Sequence, residues 1–285
     1  MENYIVGIGE ALWDMLPAGK QLGGAPANFA YHVKRLGLPA KVVSAVGHDE
    51  LGNEILNLFQ EKEIPYLVQQ ITYPTGTVQV SLDEAGVPSY EIKTDVAWDN
   101  IPYTAELEEL ARHTKVACFG SLAQRNSVSC ETINRFLDAM PDAENVWKVF
   151  DINLRQQFYT KEILHCSLCK CNILKINDEE LAVVSELFNL SSASMEGQCR
   201  QLLSDYQLKM IILTCGEKGS YVITPEETFY KETPHVEVVD TVGAGDAFAA
   251  AFIAGILKGN SIAEAHQLAV DVSAHVCTQP GAMPE

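Results

Sequence analysis

Short apolar runs alternate along this chain with stretches in which apolar residues recur at helical spacing. Tyr4 to Gly9 reads as a short buried strand, and Glu10 to Pro17 continues extended with mixed polar and apolar residues. Gly23-Gly24 opens a helix over Ala25 to Leu36, which Gly37 ends and Pro39 follows. Lys41 to Val46 predicts a strand, and Asp49 to Lys62 an amphipathic helix. Thr75 to Leu82 and Val87 to Lys93 then alternate cleanly, with Asp83-Glu84-Ala85-Gly86 as a hairpin turn between them. After Trp98 the rhythm returns to α/β. Strands are predicted over Val116 to Phe119, Trp147 to Ile152, Asn172 to Ile176, Met210 to Thr214 and Ser220 to Ile223. Helices are predicted over Ser129 to Ala139, Asp178 to Leu187, Ala193 to Tyr206, Ala244 to Leu257 and Ile262 to Val276.

Strands that alternate with helices imply an α/β protein with a mostly parallel sheet covered on both faces. Ligands of such sheets bind at the carboxyl ends of the strands. The hairpin is a small antiparallel excursion from this frame. Its Val78, Val80, Leu82, Val87, Tyr90 and Ile92 are too much apolar surface for a free hairpin in water. It is therefore expected to pack on the ligand site, on a second subunit, or on both.

Composition narrows the class. The 285 residues allow one large domain with an excursion or two modest domains. A net charge of −18 argues against binding nucleic acid or an anionic membrane. No signal-type start and no spanning apolar run is present, and eight irregularly spaced cysteines fit reduced thiols, so a cytoplasmic protein is expected. The run His165-Cys166-Ser-Leu-Cys169-Lys-Cys171 has thiolate-like spacing but no second pair at finger-like distance, and it reads as packing ahead of an apolar strand.

The candidate chemistry gathers at loop-to-helix junctions. Asp240-Thr-Val242-Gly243-Ala244-Gly245-Asp246 is a small-residue turn entering an apolar helix. Helix-start amides suit an anion, and Asp246 stands where a carboxylate can take a proton from a hydroxyl. Alone, the same stretch also reads as a capped glycine turn. Gly23-Gly24-Ala-Pro-Ala-Asn28 permits close approach of a ligand, with Asn28 able to donate and accept, and Asp14 upstream can hold a diol. Asp151-Ile-Asn-Leu-Arg155 and Asn177-Asp-Glu-Glu180 lie at strand ends. Helix capping accounts for the latter equally well. Thr214-Cys-Gly216-Glu-Lys-Gly219 is a glycine-rich turn that suits either a nucleotide or an ordinary hairpin. Trp13 and Trp98 flank the extended stretch and the hairpin, as walls of a ligand site or as core; His32 reads as packed.

In this order and at this separation, Gly23-Gly24-x-x-x-Asn28, Asn177-x-x-Glu180, Thr214-x-Gly216-x-x-Gly219 and Asp240-Thr-x-Gly-Ala-Gly-Asp246 resemble the ribokinase-like (PfkB) carbohydrate kinases from end to end. The stretches Gly9-Glu-Ala-Leu-Trp-Asp14 and Asp151-Ile-Asn-Leu-Arg155 look most like the fructokinase branch. The resemblance implies a ribokinase-like three-layer fold. Residues 1–9, 18–72 and 98–285 would form the core, and 10–17 with 73–97 the β-lid. It implies ATP-dependent phosphorylation of a sugar with Mg²⁺, fructose first. Kinases for 2-keto-3-deoxygluconate, whose carboxylate Arg155 would meet, and for ribose are the alternatives. A sugar-sensing protein without catalysis is the alternative of another class. Asp246 would be the base, with Gly243, Ala244 and Gly245 offering amides to the transferred phosphoryl group. Asp14, Gly23, Gly24, Asn28 and Arg155 would hold the sugar. Asn177 and Glu180 would serve phosphates and Mg²⁺, and Thr214, Gly216 and Gly219 the nucleotide. A monovalent cation such as K⁺ is implied at Asp240, Val242, Gln279 and Gly281, although Gln279-Pro280 replaces the family's common basic pair. A homodimer through the lid is a further expectation.

Overall fold

The computed structural model describes residues 4–16, 19–82 and 88–284, with the side chains of 80–90 excepted. The turn Asp83 to Gly86, Val87, and the side chains of Val80, Leu82 and Tyr90 thus lie outside the described residues.

The strands are β1 Tyr4–Ile8, β2 Leu12–Leu16, β3 Gly19–Gly23, β4 Ala40–Gly47, β5 Tyr66–Ile71, β6 Gly76–Leu82, β7 Pro88–Ile92, β8 Thr114–Phe119, β9 Trp147–Asp151, β10 Ile173–Asn177, β11 Met210–Thr214, β12 Ser220–Ile223 and β13 Thr228–Lys231. The helices are α1 Ala25–Arg35, α2 Glu50–Glu61, α3 Ala105–Arg112, α4 Ser127–Ala139, α5 Lys161–Lys170, α6 Asp178–Phe188, α7 Met195–Asp205, α8 Ala244–Leu257 and α9 Ile262–Cys277. One sheet has the order β13-β12-β11-β10-β9-β8-β1-β4-β5, parallel from β5 to β11 and antiparallel at β12 and β13.

Strand alternation divides the core in two. Val6, Ile8, Phe119, Phe150, Leu174 and Ile176 face a cluster that contains Leu107, Ile133, Leu164, Leu181 and Cys199 of α3 to α7. Ile5, Val116, Val149, Ile173 and Ile212 face the opposite cluster, with Phe29 of α1, Phe59 of α2, Phe248 and Phe252 of α8 and Ala269 of α9. The result is three layers, with α1, α2, α8 and α9 on one side and α3 to α7 on the other.

The second sheet has the order β3-β2-β6-β7. Its outer pairs β2–β3 and β6–β7 are antiparallel, and its middle pair β2–β6 is parallel because two separate excursions leave the core in the same direction. Gly19–Gly23, left in the core by the sequence reading, is an edge strand of this lid: its glycines and Lys20 carry no strand signal, and pairing with β2 alone makes it one. The lid turns Val78 and Ile92 inward onto Val96 and Trp98, and its Gln79, Glu91 and Lys93 outward. Trp98 is completely buried with Arg125 stacked 4.1 Å from its ring, and Trp13 donates to Leu51 O at 3.0 Å, so both tryptophans are core.

Candidate active site

The carboxyl ends of β1, β9, β10 and β11 point toward one region, and the starts of α1 and α8 enter it from the sheet's side. α1 begins there because Gly24, at φ 116°, turns the chain where a side chain would strike Glu10 O at 2.3 Å. Pro26 occupies the first turn of the helix, where a missing N–H does no harm. α8 begins at Gly243, in the left-handed conformation with φ 77°, packed on Ala282 of the C-terminal segment. The helix behind it is buried from Ala247 to Gly255. Its first amides have no carbonyl of their own helix to bond, which leaves a site suited to an anion.

Asp246 and Asn28 meet across these two helix starts: Asn28 Nδ2 donates to Asp246 Oδ2 at 2.8 Å. Asn28 is 3% exposed, yet its Oδ1 has no partner. It is poised to accept from a ligand hydroxyl. Burial pushes the Asp246 carboxyl up to about 6, helped by Asp151 and opposed by Lys175, Asn28 and Arg155. Burial likewise pushes Asp14 up to about 6, opposed by Arg155. Gly23 lies against the Asp14 carboxylate, since a methyl there would come 2.3 Å from Oδ2. Arg155 is exposed after β9, donates to Leu154 O at 3.1 Å, and holds its charge toward Asp14 and Asp246.

At the neighbouring strand ends, Asn177 of β10 and Thr214 of β11 are register neighbours. Gly216 and Gly219 form the following turn with φ of 56° and 101°, and Gly216 faces open space. Asn177 and Glu180 form a reciprocal cap at the start of α6, with Asn177 Oδ1 accepting from Glu180 N at 2.8 Å and Glu180 Oε2 from Asn177 N at 3.0 Å. Glu180 Oε1 also accepts from Leu154 N at 2.9 Å. Both carboxylate oxygens therefore hold backbone, and each keeps a lone pair. Beside the anion turn, Asp240 Oδ1 accepts from Val242 N and Oδ2 from Gly281 N, both at 3.0 Å. This clamp brings Asp240, Val242 and Gly281 to one place, while Gln279 bonds within its own segment, its N–H to Val276 O and its side chain to Thr278 Oγ1.

Glu10 and Lys175 have no part in the sequence-based site, and Asp151 enters it only within its strand-end stretch, without a role of its own. Glu10 is 2% exposed with an unpartnered Oε2, and burial pushes it up to about 7 beside Asp246 and Arg155. Lys175 and Asp151 form a buried ion pair at 3.0 Å on neighbouring strands. The available signal was plainest for Lys175, the single charge in Ile-Leu-Lys-Ile. His32 is buried, with Nε2 2.9 Å from Ala282 O in the C-terminal segment that packs on Gly243. Cys166 and Cys169 lie exposed on α5, and Cys171 is buried after it. The segment does lead into an apolar strand, β10, but up to Lys170 it is a helix capped by Thr160, and of its three cysteines Cys171 alone is packed as a small hydrophobe. A cleft of about 500 Å³ near Tyr4, Lys41 and His113 opens at the amino ends of the strands, remote from all of these groups.

Residues 18–285 match the pfkB family carbohydrate kinase, and the chain belongs to that family. It is a sugar kinase, transferring a phosphoryl group to an alcohol. It is 31% identical to an ATP-dependent 6-phosphofructokinase of Thermoanaerobacterium thermosaccharolyticum, over 98% of this chain and 89% of that protein. It is 28% identical to probable fructokinase-3 of Arabidopsis thaliana, over 92% of this chain and 80% of that protein. The crystal structure of fructokinase from Vibrio cholerae with fructose, ADP and calcium ion superposes with a TM-score of 0.80 at 25% identity, covering 99% of this chain and 95% of that one. No helix among the described residues is long and apolar enough to cross a membrane.

Proposed function

We propose that the protein is a fructokinase that uses ATP and Mg²⁺, with Asp246 as the base on the acceptor hydroxyl. The observation that carries this reading is the Asp246–Asn28 pair at the mouth of α8. It sets a proton acceptor, a free amide oxygen and an anion-binding helix start within reach of one hydroxyl. As the hydroxyl oxygen forms its bond to the γ-phosphorus, its proton passes to Asp246. The bond from that phosphorus to the bridging oxygen breaks, and its electron pair leaves with ADP. Positioning and charge stabilisation account for most of such catalysis. Mg²⁺, when bound, would neutralise phosphate charge. Asn177 and Glu180, together with the glycine turn Gly216 to Gly219, suit the nucleotide's phosphates and base. The lid would exclude water.

The acceptor side favours a neutral sugar. Glu10, Asp14 and Asp246 line it, and Arg155 is the cation whose charge reaches all three. Lys20, Lys93 and Arg125 are paired with Glu54, Glu91 and Asp99. Residues 80–90 contain no Lys or Arg. A sugar phosphate normally takes several cations. The 6-phosphofructokinase relative makes fructose 6-phosphate the rival to test. In a coupled ADP-release assay over fructose, fructose 6-phosphate, 2-keto-3-deoxygluconate, ribose and adenosine, fructose is expected to give the highest kcat/KM. A higher value for fructose 6-phosphate would overturn the neutral acceptor. A preference for 2-keto-3-deoxygluconate would move the substrate to a sugar acid and leave Asp246 in place. ADP release with any of these sugars excludes a sensor without catalysis.

A further inference from the structure

Lys175 sits in the middle of β10 with Leu174 and Ile176 facing the α3–α7 side, so that its own side chain faces α8. Its ammonium is 3.0 Å from Asp151 Oδ1, and the residue is 7% exposed. A methyl group at Gly245 would come within 2.8 Å of Nζ and 3.6 Å of Cε. The ammonium is thus pressed against the backbone of the turn that would receive the phosphoryl group. Asp151 on β9, Glu180 on α6 and Asp246 on α8 face it. Asp246 is faced in turn by Asn28, Asp151, Lys175, Arg155 and Glu10. Burial alone would lower the lysine, but Asp151 first, then Glu180 and Asp246, hold it above its ordinary range.

A merely structural ion pair does not explain this placement. A buried pair is commonly no more stable than apolar residues of the same volume. One ammonium among three carboxylates also leaves the spot negative, where a polyanionic chain of phosphates has to approach. The positive charge has value where negative charge grows during reaction, because a preorganised dipole or charge needs no rearrangement there.

We propose that Lys175 is a positioning residue of the phosphoryl-transfer site: fixed by Asp151 behind the Gly245 backbone, its ammonium stabilises the charge that gathers as the bond between sugar oxygen and phosphorus forms and the bond to ADP breaks. This rests on the phosphotransferase reading with Asp246 as base. Lys175→Met combined with Asp151→Asn removes both charges together and keeps the volume. In that variant kcat is expected to fall by about 10²–10³, the range for losing one preorganised donor at developing charge. KM for fructose and the affinity for ADP should stay near wild type. Affinity for ADP with Mg²⁺ and aluminium fluoride, a mimic of the transferring group, should fall at least about tenfold by calorimetry. Asp151→Asn alone keeps the ammonium and should retain most of the preference for the mimic over ADP. Loss of that preference in Asp151→Asn to the same degree as in the paired variant overturns the proposal, as does an unchanged mimic affinity in the paired variant. Lys175→Gln, which removes the charge and keeps a polar side chain, gives the same comparison should the paired variant not fold. The calorimetry needs no sugar turnover, so a wild type inactive on fructose would defeat the fructokinase reading and leave Lys175 to be judged separately.

Discussion

Asp246 can take a proton only when ionised, and burial holds its carboxyl up to about 6. The kcat/KM for the sugar should therefore climb with pH up to about 6 and level off above it. A profile flat from pH 5 to pH 8 would remove Asp246 from the role of base. Asp246→Asn keeps the shape and loses the base. Its kcat should drop by at least about 10²-fold, the lower end for a positioned base, with sugar affinity changed far less. Glu10 makes a separate prediction on stability. Its folded carboxyl is raised from 4.5 to about 7, so across that window the folded state holds a proton that the unfolded chain has released. Stability contributed by this group is present below 4.5 and is lost as pH rises through about 7. Glu10→Gln, which cannot ionise, should thus raise Tm at pH 8 and change it little at pH 4.5. An equal Tm difference at both pH values would show that Glu10 does not titrate in the fold.

At the scale of elements, α6 and its cap carry the next test. Glu180 accepts from the amides of Asn177 and Leu154 at 3.0 and 2.9 Å, tying the start of α6 to the loop after β9. Glu180→Gln points an NH₂ at one of these amides and should destabilise by about 1–3 kcal/mol, the penalty for a buried unpaired donor. An unchanged Tm with a raised Mg²⁺ requirement would instead make Glu180 a metal-side group alone. Which elements the sequence reveals follows from how their side chains are buried. α8 was legible from Ala244 to Leu257 because its small-residue start and its unbroken apolar run leave no other reading. β10 and β11 were legible as apolar runs buried on both faces. β5, Tyr-Leu-Val-Gln-Gln-Ile, was missed because it is an edge strand, half-buried at every position, and shows no alternation. β13 is a short edge strand of the same kind, and α3 is a single short helix rich in glutamate. The site divides in the same way. Asp246 and Asn28 stand in the first turns of helices entered through glycines, and those glycines announce a close approach. Lys175, Asp151 and Glu10 acquire meaning only from partners on other strands, which pairing in three dimensions brings together.

For the whole molecule, the net charge of −18 opposes every phosphate it must bind. The lid cannot relieve this, since its outward side chains include Glu91 salt-bridged to Lys93. The hairpin's apolar residues Val80, Leu82, Val87 and Tyr90 are the reason to expect two lids to pair. A dimer is the expected state, and light scattering that shows a fully active monomer at micromolar concentration would dispose of it. The acidic field has a second consequence next to the anion turn. Asp240 is held there by the amides of Val242 and Gly281, each at 3.0 Å, so its oxygens are fixed rather than free to swing. Gln279-Pro280 follows where the resemblance leads one to expect basic residues, so no fixed side-chain cation from that pair offsets Asp240. A weakly hydrated monovalent cation between Asp240 and the carbonyls around Val242, Gln279 and Gly281 would supply that charge and stiffen the start of α8. At constant ionic strength, where general screening of the −18 field is held fixed, potassium should raise kcat above sodium, and sodium above tetramethylammonium. Asp240→Asn should abolish the difference between the three salts. Equal rates in all three for the unaltered protein would show that the turn is held by protein contacts alone, with the clamp to Gly281 sufficient to form the anion site.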